Sequence, residues 1–311
     1  MSYTVLMGDI VKSRNYSNHI NEAQELLRLS LNYLNKTYKR FIKAEARLQR
    51  GDEFQVLLTE PYAGFLFYRL LELLIHPLKI RCAMYTDDIY DFNFYSTERM
   101  FGNAYYEAGN LLEICKDESK SFLYGSKYVS YGANDVFVIN AMTDRRSSLL
   151  VRGNSIMNNN VQLIAEILYP LTLNGERIDG LYNISLLKQI FFFKDEIYEL
   201  NNSLRITPIK YSSYSRMRQE DTLPTNYGKV DFAHLEHYCN NSRFSCGVLD
   251  AYEHDSNFLR SCWKRGYNVT IAEILNVSRQ TVDRAMTYLN YTEKRNYDGV
   301  ILYLLHRFME D

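Results

Sequence analysis

No CxxC pair occurs in this chain, and its cysteines, at 82, 115, 239, 246 and 262, are odd in number and scattered. That pattern argues against a disulfide framework and suits a reducing compartment. No apolar run is long enough to cross a bilayer, because the greasiest stretch, YAGFLFYRLLELLIHPL, is interrupted by Arg69, Glu72 and His76. The opening MSYTVLMGDI carries no basic residue ahead of its apolar run, so no signal peptide is expected. Neither sign of charge is in excess: the formal net charge is −1. This disfavours a uniformly basic polyanion binder and leaves room for a small local DNA-binding face. No internal repeat or low-complexity tract is present. Together these absences predict a cytoplasmic protein without a membrane partner.

What is present is ordinary in bulk, with 46% apolar and 23% charged residues, but rich in tyrosine, with 27 among 311 residues. Tyrosine can stack on bases, yet more often it packs half-buried surface. The first 140 residues alternate strand and helix signals. YTVLM reads as a strand ending at Gly8-Asp9. From Asn18, a candidate N-cap, Ile20, Ala23, Leu27, Leu31, Leu34 and Phe41 recur at helical spacing. AEARLQ and FQVLL form a hairpin, and Tyr62 to Ile75 a second helix. In LKIRCAMY, Leu78, Ile80, Cys82 and Met84 alternate with Lys79, Arg81, Ala83 and Tyr85, which predicts a sheet covered on one face. A third helix carries Phe101, Tyr105, Ala108, Leu111, Leu112 and Cys115, and DVFVIN reads as a later strand. The order β-α-β-β-α-β-α is the split, ferredoxin-like arrangement of an α+β domain.

Residues 141–225 read as a helical connector and a polar linker, whose SLRITPIKYSSYSRMRQEDTLPTNYG is solvated on composition. Residues 226–311 form the third division, and VTIAEILNVSRQTVDRAMTYLNY within it has the pattern of a helix-turn-helix. Thr270 and Glu273 have capping-box spacing, Asn276-Val277 is the turn, and Ser278 caps a second helix with Val282, Met286 and Leu289 inside. Arg279, Gln280, Thr281, Asp283 and Arg284 then face outward. Arg and Gln suit base edges, and Thr and the helix N-terminus suit phosphates. Residues 259–311 carry 8 Lys/Arg against 6 Asp/Glu, a surplus only weakly favourable to double-stranded DNA, and such a module usually needs a homodimer to bind tightly.

The hairpin LQRGDEFQVLL places Asp52 and Glu53 at the tip of two apolar strands. A turn tolerates Gly-Asp for conformational reasons alone. In a ferredoxin-like sheet, however, the strand ending in Asp9 can lie beside this hairpin, bringing two distant carboxylates together. Mg²⁺ favours such a site: one or two carboxylates, a backbone carbonyl, here that of Ile10, and phosphate oxygens. Lys12 and Arg14 beside the first carboxylate and Arg50 beside the second are the candidate nucleotide contacts. Asp9, Asp52 and Glu53 are the candidate catalytic carboxylates, should two-metal phosphoryl transfer occur.

GDIVKSR at 8–14 followed by RGDEFQVLL at 50–58 resembles the SatD family, and the C-terminal helix-turn-helix agrees with that resemblance. The same half is similar to class III nucleotide cyclase domains and, more distantly, to diguanylate cyclases and polymerase palms. Cyclases have an FxDI strand end and a Gly-Asp hairpin, which implies metal ligation at Asp9, Ile10 and Asp52, by Mg²⁺ or Mn²⁺ with a purine nucleotide. The diguanylate cyclase signature GGDEF overlays Arg50-Gly51-Asp52-Glu53-Phe54 with Arg50 in place of the first glycine. FGNAYYEAGNLLE at 101–113 is similar to a cyclase helix, but Tyr106 and Asn110 stand where active cyclases place the Asn and Arg that orient ribose and stabilise charge. That departure counts against turnover.

His234, His237, Cys239, Cys246 and His254 are zinc-ligand types, but their spacing fits no finger pattern and no zinc is expected. Three readings follow. The first is a regulator whose palm-like domain binds nucleotide and metal and is coupled to DNA binding. The second is an active cyclase or nucleotidyltransferase. The third is a catalytically dead palm that serves as a dimerisation scaffold for a DNA-binding protein.

Overall fold

The computed structural model describes residues 2–16, 19–49, 51–89, 102–127, 129–149, 156–169, 171–172, 183–204, 230–241, 246–247 and 266–307. Arg50, Asn18, Phe101 and His254, the 205–229 linker and Cys262 lie outside them.

Five strands build one sheet: β1 (Ser2–Ile10), β2 (Ile42–Leu48), β3 (Phe54–Leu58), β4 (Ile80–Asp88) and β5 (Phe122–Ser126). Their spatial order is β2-β3-β1-β4-β5. β1 runs antiparallel to both β3 and β4, β2 runs antiparallel to β3, and within this sheet the β4–β5 pair is the parallel one. With α1 (Ile20–Thr37) between β1 and β2, and α2 (Pro61–Leu74) between β3 and β4, this is the ferredoxin-like split unit, extended by α3 (Asn103–Asp117) and β5. The domain is α+β, and the rest of the described chain is almost wholly helical.

Strand alternation sends two sets of side chains to opposite faces. Leu6, Ile10, Val56, Leu58, Cys82, Met84, Phe122 and Tyr124 enter the large core with α1 and α2. Tyr3, Val5, Ala83, Leu57 and Leu123 point the other way, where α3 covers them through Ala104, Tyr105, Ala108, Leu112 and Cys115. The second face is therefore not bare, which corrects the expectation from LKIRCAMY. Ala83 packs with Leu112 and Cys115, while Ala104 and Ala108 pack with Tyr3, Val5 and Leu57, and these small residues let one helix lie close. Gly8 serves close approach too: a Cβ there would stand 2.7 Å from Cys82 Sγ and 2.8 Å from the Arg81 carbonyl oxygen.

DVFVIN is not a strand but part of α4 (Val129–Ser148). Val136, Ile139, Thr143 and Arg146 line its inner side, whereas Phe137 is 73% exposed. Asn140 holds β5 in place: its side chain accepts from Tyr124 N at 2.8 Å and donates to Tyr124 O at 3.0 Å. β5, in SFLYGS, is an element that sequence reasoning missed. Residue 140, the expected domain boundary, lies inside α4.

Beyond α4 come α5 (Ile156–Leu168), β6 (Leu171–Thr172), α6 (Ile184–Leu204), α7 (Phe232–Asn241) and β7 (Cys246–Gly247). The last three helices are α8 (Gly266–Leu275), α9 (Arg279–Tyr288) and α10 (Tyr291–Arg307). One apolar cluster runs from Leu6 of β1 to Leu305 of α10, so these helices share the core of the sheet. No helix among the described residues is long and apolar enough to cross a membrane.

Candidate functional site

Gly51, at φ +67°, takes the left-handed turn position, and the hairpin closes with Gln49 N donating to Glu53 O at 2.8 Å. Gly8 pairs with Phe54, so the end of β1 lies beside this turn. Asp9 is buried on the α3 face. It is paired in register with Arg81 of β4, whose Nε donates to Asp9 Oδ1 at 2.7 Å. Lys116, at the end of α3, stands 3.7 Å from Asp9 Oδ2, 3.7 Å from Glu53 Oε1 and 2.6 Å from Glu113 Oε1.

Burial pushes the Asp9 carboxyl above its ordinary pKa, against the pull of Arg81 and Lys116, and the negative charge of Asp52 adds to that push. Burial opposes the charge of Lys116, but the Glu113 hydrogen bond with the charges of Asp9, Glu113 and Glu53 outweighs it and holds the ammonium above its usual value. The expected carboxylates therefore do converge in one electrostatic neighbourhood. Sequence reading missed the two cations there, Arg81 on Asp9 and Lys116 between Asp9 and Glu53, since Arg81 read only as the outward face of a strand and Lys116 lay beyond the helix motif. Four carboxylates (Asp9, Asp52, Glu53, Glu113) face two cations, which leaves the cluster negative.

Asp9, Asp52 and the Ile10 carbonyl carry hard oxygens, the donor type that would suit a divalent cation. Such an ion does not find a complete cage: no group of three or more His, Cys, Asp or Glu side chains is placed to hold a metal among the described residues. Two carboxylates suit an ion whose remaining ligands are phosphate and water. Lys12, at φ +56°, and Arg14 follow on the exposed turn after β1. Tyr106, 68% exposed, and Asn110 lie on the outer side of α3, away from Asp9.

At the other end of the chain, α8 and α9 are joined by a three-residue turn at 276–278. Asn276 takes φ +50°, Val277 N donates to Ala272 O at 3.0 Å, and Ser278 Oγ caps α9 by accepting from Thr281 N at 3.2 Å. α8 is already helical at Gly266, so Thr270 lies mid-helix and the expected capping box does not start it. Val282, Ala285 and Leu289 are buried, while Arg279, Gln280 and Arg284 are exposed. Thr281 is half-buried, with its hydroxyl 3.0 Å from Ser278 Oγ. Asp283 faces Arg279 at 3.5 Å and accepts from Asn268 Nδ2 at 2.5 Å. Of the charges counted over 259–311, Lys294, Arg295 and Asp298 are buried, so the surplus among the others falls from two to one.

His234 pairs with Asp231, which caps α7 by accepting from the main-chain N–H groups of Ala233 and His234, and Cys239 is buried.

The model of the SatD family matches residues 3–170, so the chain belongs to the SatD family. A search of curated proteins finds no match. Among solved structures, a bacterial light-regulated adenylyl cyclase is similar over 40% of this chain and 43% of its own, at 14% identity and a TM-score of 0.32. The guanylyl cyclase Cya2 is similar over 37% of this chain and 70% of its own, at 13% identity and a TM-score of 0.27. This chain thus spans less than half the length of the first of these.

Proposed function

We propose that this member of the SatD family is a regulator whose sheet end binds a purine nucleotide together with Mg²⁺ or Mn²⁺, and whose α8–α9 pair binds double-stranded DNA. One observation carries the nucleotide half: β1 and β3 are neighbours, so Asp9 and the Asp52–Glu53 hairpin meet at one end of one sheet face. Asp9, Asp52 and the Ile10 carbonyl would hold the cation, which when bound would neutralise phosphate charge. Two carboxylates leave most of its coordination to phosphate and water, so metal and nucleotide bind together. Lys116, 26% exposed on a flexible stem, is free to turn from Asp9 toward phosphate oxygens, and Lys12 and Arg14 add exposed cations nearby. Arg50 belongs to the same reading as a neighbour of the hairpin. Binding without turnover is proposed, because Tyr106 and Asn110 replace the residues that cyclases use on the corresponding helix.

For DNA, Ser278 orients α9 so that Arg279, Gln280, Thr281 and Arg284 can reach base edges and phosphates. Arg279 is partly neutralised by Asp283, so one copy has little electrostatic grip and a homodimer on two half-sites is implied.

Calorimetry of the full chain with ATP or GTP and Mg²⁺ tests the first half. Binding heat is expected from the native protein and none from Asp52→Ala, whose stability should stay within about 0.5 kcal/mol of native. For the second half, Arg284→Ala should lower the slope of log affinity against log salt by about 1. The Asp9–Arg81 pair favours a second reading, a palm already neutralised and serving as a dimerisation scaffold. An absence of heat together with nucleotide-independent DNA affinity would select it.

A further inference from the structure

Behind the sheet face opposite Asp9 lies a cavity of about 280 Å³, with room for roughly nine waters. It is bounded by the end of α2, the 76–80 segment leading into β4, Ser121 and Ser147, α5, and the start of α10. Its apolar wall is Leu73, Pro77, Leu78, Ile80 and Leu289. Its polar wall is unusual in that donors there lack acceptors. Lys294 is 1% exposed, and its Nζ makes no hydrogen bond among the described residues. The nearest carboxylate oxygen, Glu72 Oε2, is 4.0 Å away and already accepts from Arg146 Nη2 at 3.0 Å. Gln162 is 2% exposed with its amide nitrogen unpartnered, and His76 Nδ1 is unpartnered as well.

Charge around this cavity is also out of balance. Arg69, Arg146, Lys294 and Arg295 face Glu72, Glu166 and Asp298, and Lys194 stands behind Leu73 and Asn159 of the wall, so five buried cations meet three anions, of which Glu72 keeps 20% side-chain exposure. A buried ammonium with neither acceptor nor matched counter-charge is costly. An organic anion supplies the acceptor that these donors lack and reduces the excess of cations, and the apolar wall calls for a hydrocarbon body rather than a bare inorganic ion.

We infer that this cavity is a binding site for a small organic carboxylate on a short apolar skeleton, with its charged end at Lys294 and Gln162. Leu289, which caps the C-terminal end of α9, forms part of the wall, and Lys294 lies in the first turn of α10. An occupant therefore touches the base of the helix pair assigned to DNA, although the site requires neither nucleotide nor DNA for its existence.

The test titrates full-length protein with hexanoate and benzoate, each against its neutral amide, by calorimetry and thermal shift. At least one acid should bind about tenfold or more tightly than its amide, the effect of one charge-assisted hydrogen bond. Lys294→Met should remove that preference and leave amide binding unchanged. The acid–amide comparison uses native protein, so it decides the matter even if the variant does not fold. Neither acid binding, equal binding of acid and amide, an acid preference that survives Lys294→Met, or a response to inorganic phosphate alone would each overturn the assignment.

Discussion

Two clusters of opposite charges sit on either side of the same sheet, and water separates their behaviour. On the α3 side, Asp9, Glu53 and Glu113 share Lys116 and Arg81 at a rim where Glu53 and Lys116 keep partial exposure. Behind the opposite face, Asp298 of α10 accepts from Arg146 Nε at 2.5 Å and meets Arg69 Nη2 at 2.5 Å. Arg69 is also forked onto Glu166 of α5 at 2.9 and 3.3 Å, Tyr291 donates to Glu166 at 2.9 Å, and Arg295 donates to Tyr291 at 2.7 Å. This second group ties α2, α4, α5 and α10 together at buried positions. The rim can exchange partners at small cost, since solvent and salt screen it. The interior cannot, because each charge there survives only while its partners stay.

The largest expected effect breaks the interior. Asp298→Ala leaves Arg69 and Arg146 facing each other and should cost about 3–5 kcal/mol in denaturant unfolding. Acid comes next. Burial alone would raise Glu72, Glu166 and Asp298, but Arg146, Arg69, Lys294 and Arg295 outweigh it and hold all three below the ordinary carboxylate values. Their contribution to stability is present above those ordinary values and is lost as pH falls through the depressed ones. Asp9 has the opposite sign: its raised pKa adds stability below 3.8 that disappears as pH rises through the folded value. A melting-temperature profile should thus fall steeply below about pH 4, and Asp9→Asn should alter only its shallower part.

Arg81→Met sharpens the comparison at intermediate scale. It leaves Asp9 buried with Lys116 as its remaining cation and should cost about 1–3 kcal/mol. Smallest is Lys116→Met, expected within about 1 kcal/mol of native by the same unfolding measurement.

Local patterns carried much of the architecture. Alternation in LKIRCAMY and the helical stripe from Ile20 to Leu34 name elements that are observed, although Ala83, Leu26, Leu29 and Tyr33 are buried as well and Ile20 is only half-buried. Ser278 was legible as a cap because an N-cap depends on the few residues that follow it. DVFVIN failed for an identifiable reason: a short apolar run has no period of its own, and contact with β5 and α10 decided in favour of helix. At the candidate site, Asp9, Asp52 and Glu53 could be named from strand ends and turn chemistry. Arg81 and Lys116 could not, because nothing local marks a cation that will face a carboxylate from another strand or helix.

By itself, then, the sequence determined the order of strands and helices as far as α3, the α+β class, the turn at Gly51 and the cap at Ser278, since each follows from steric and hydrogen-bonding preferences within a few residues. Only the tertiary structure decided which charges are shared and which are sealed. It paired Asp9 with Arg81, locked Asp298 between Arg69 and Arg146, and left Lys294 without an acceptor. Burial and partner choice arise when distant segments exclude water together, and no stretch of chain encodes that exclusion alone.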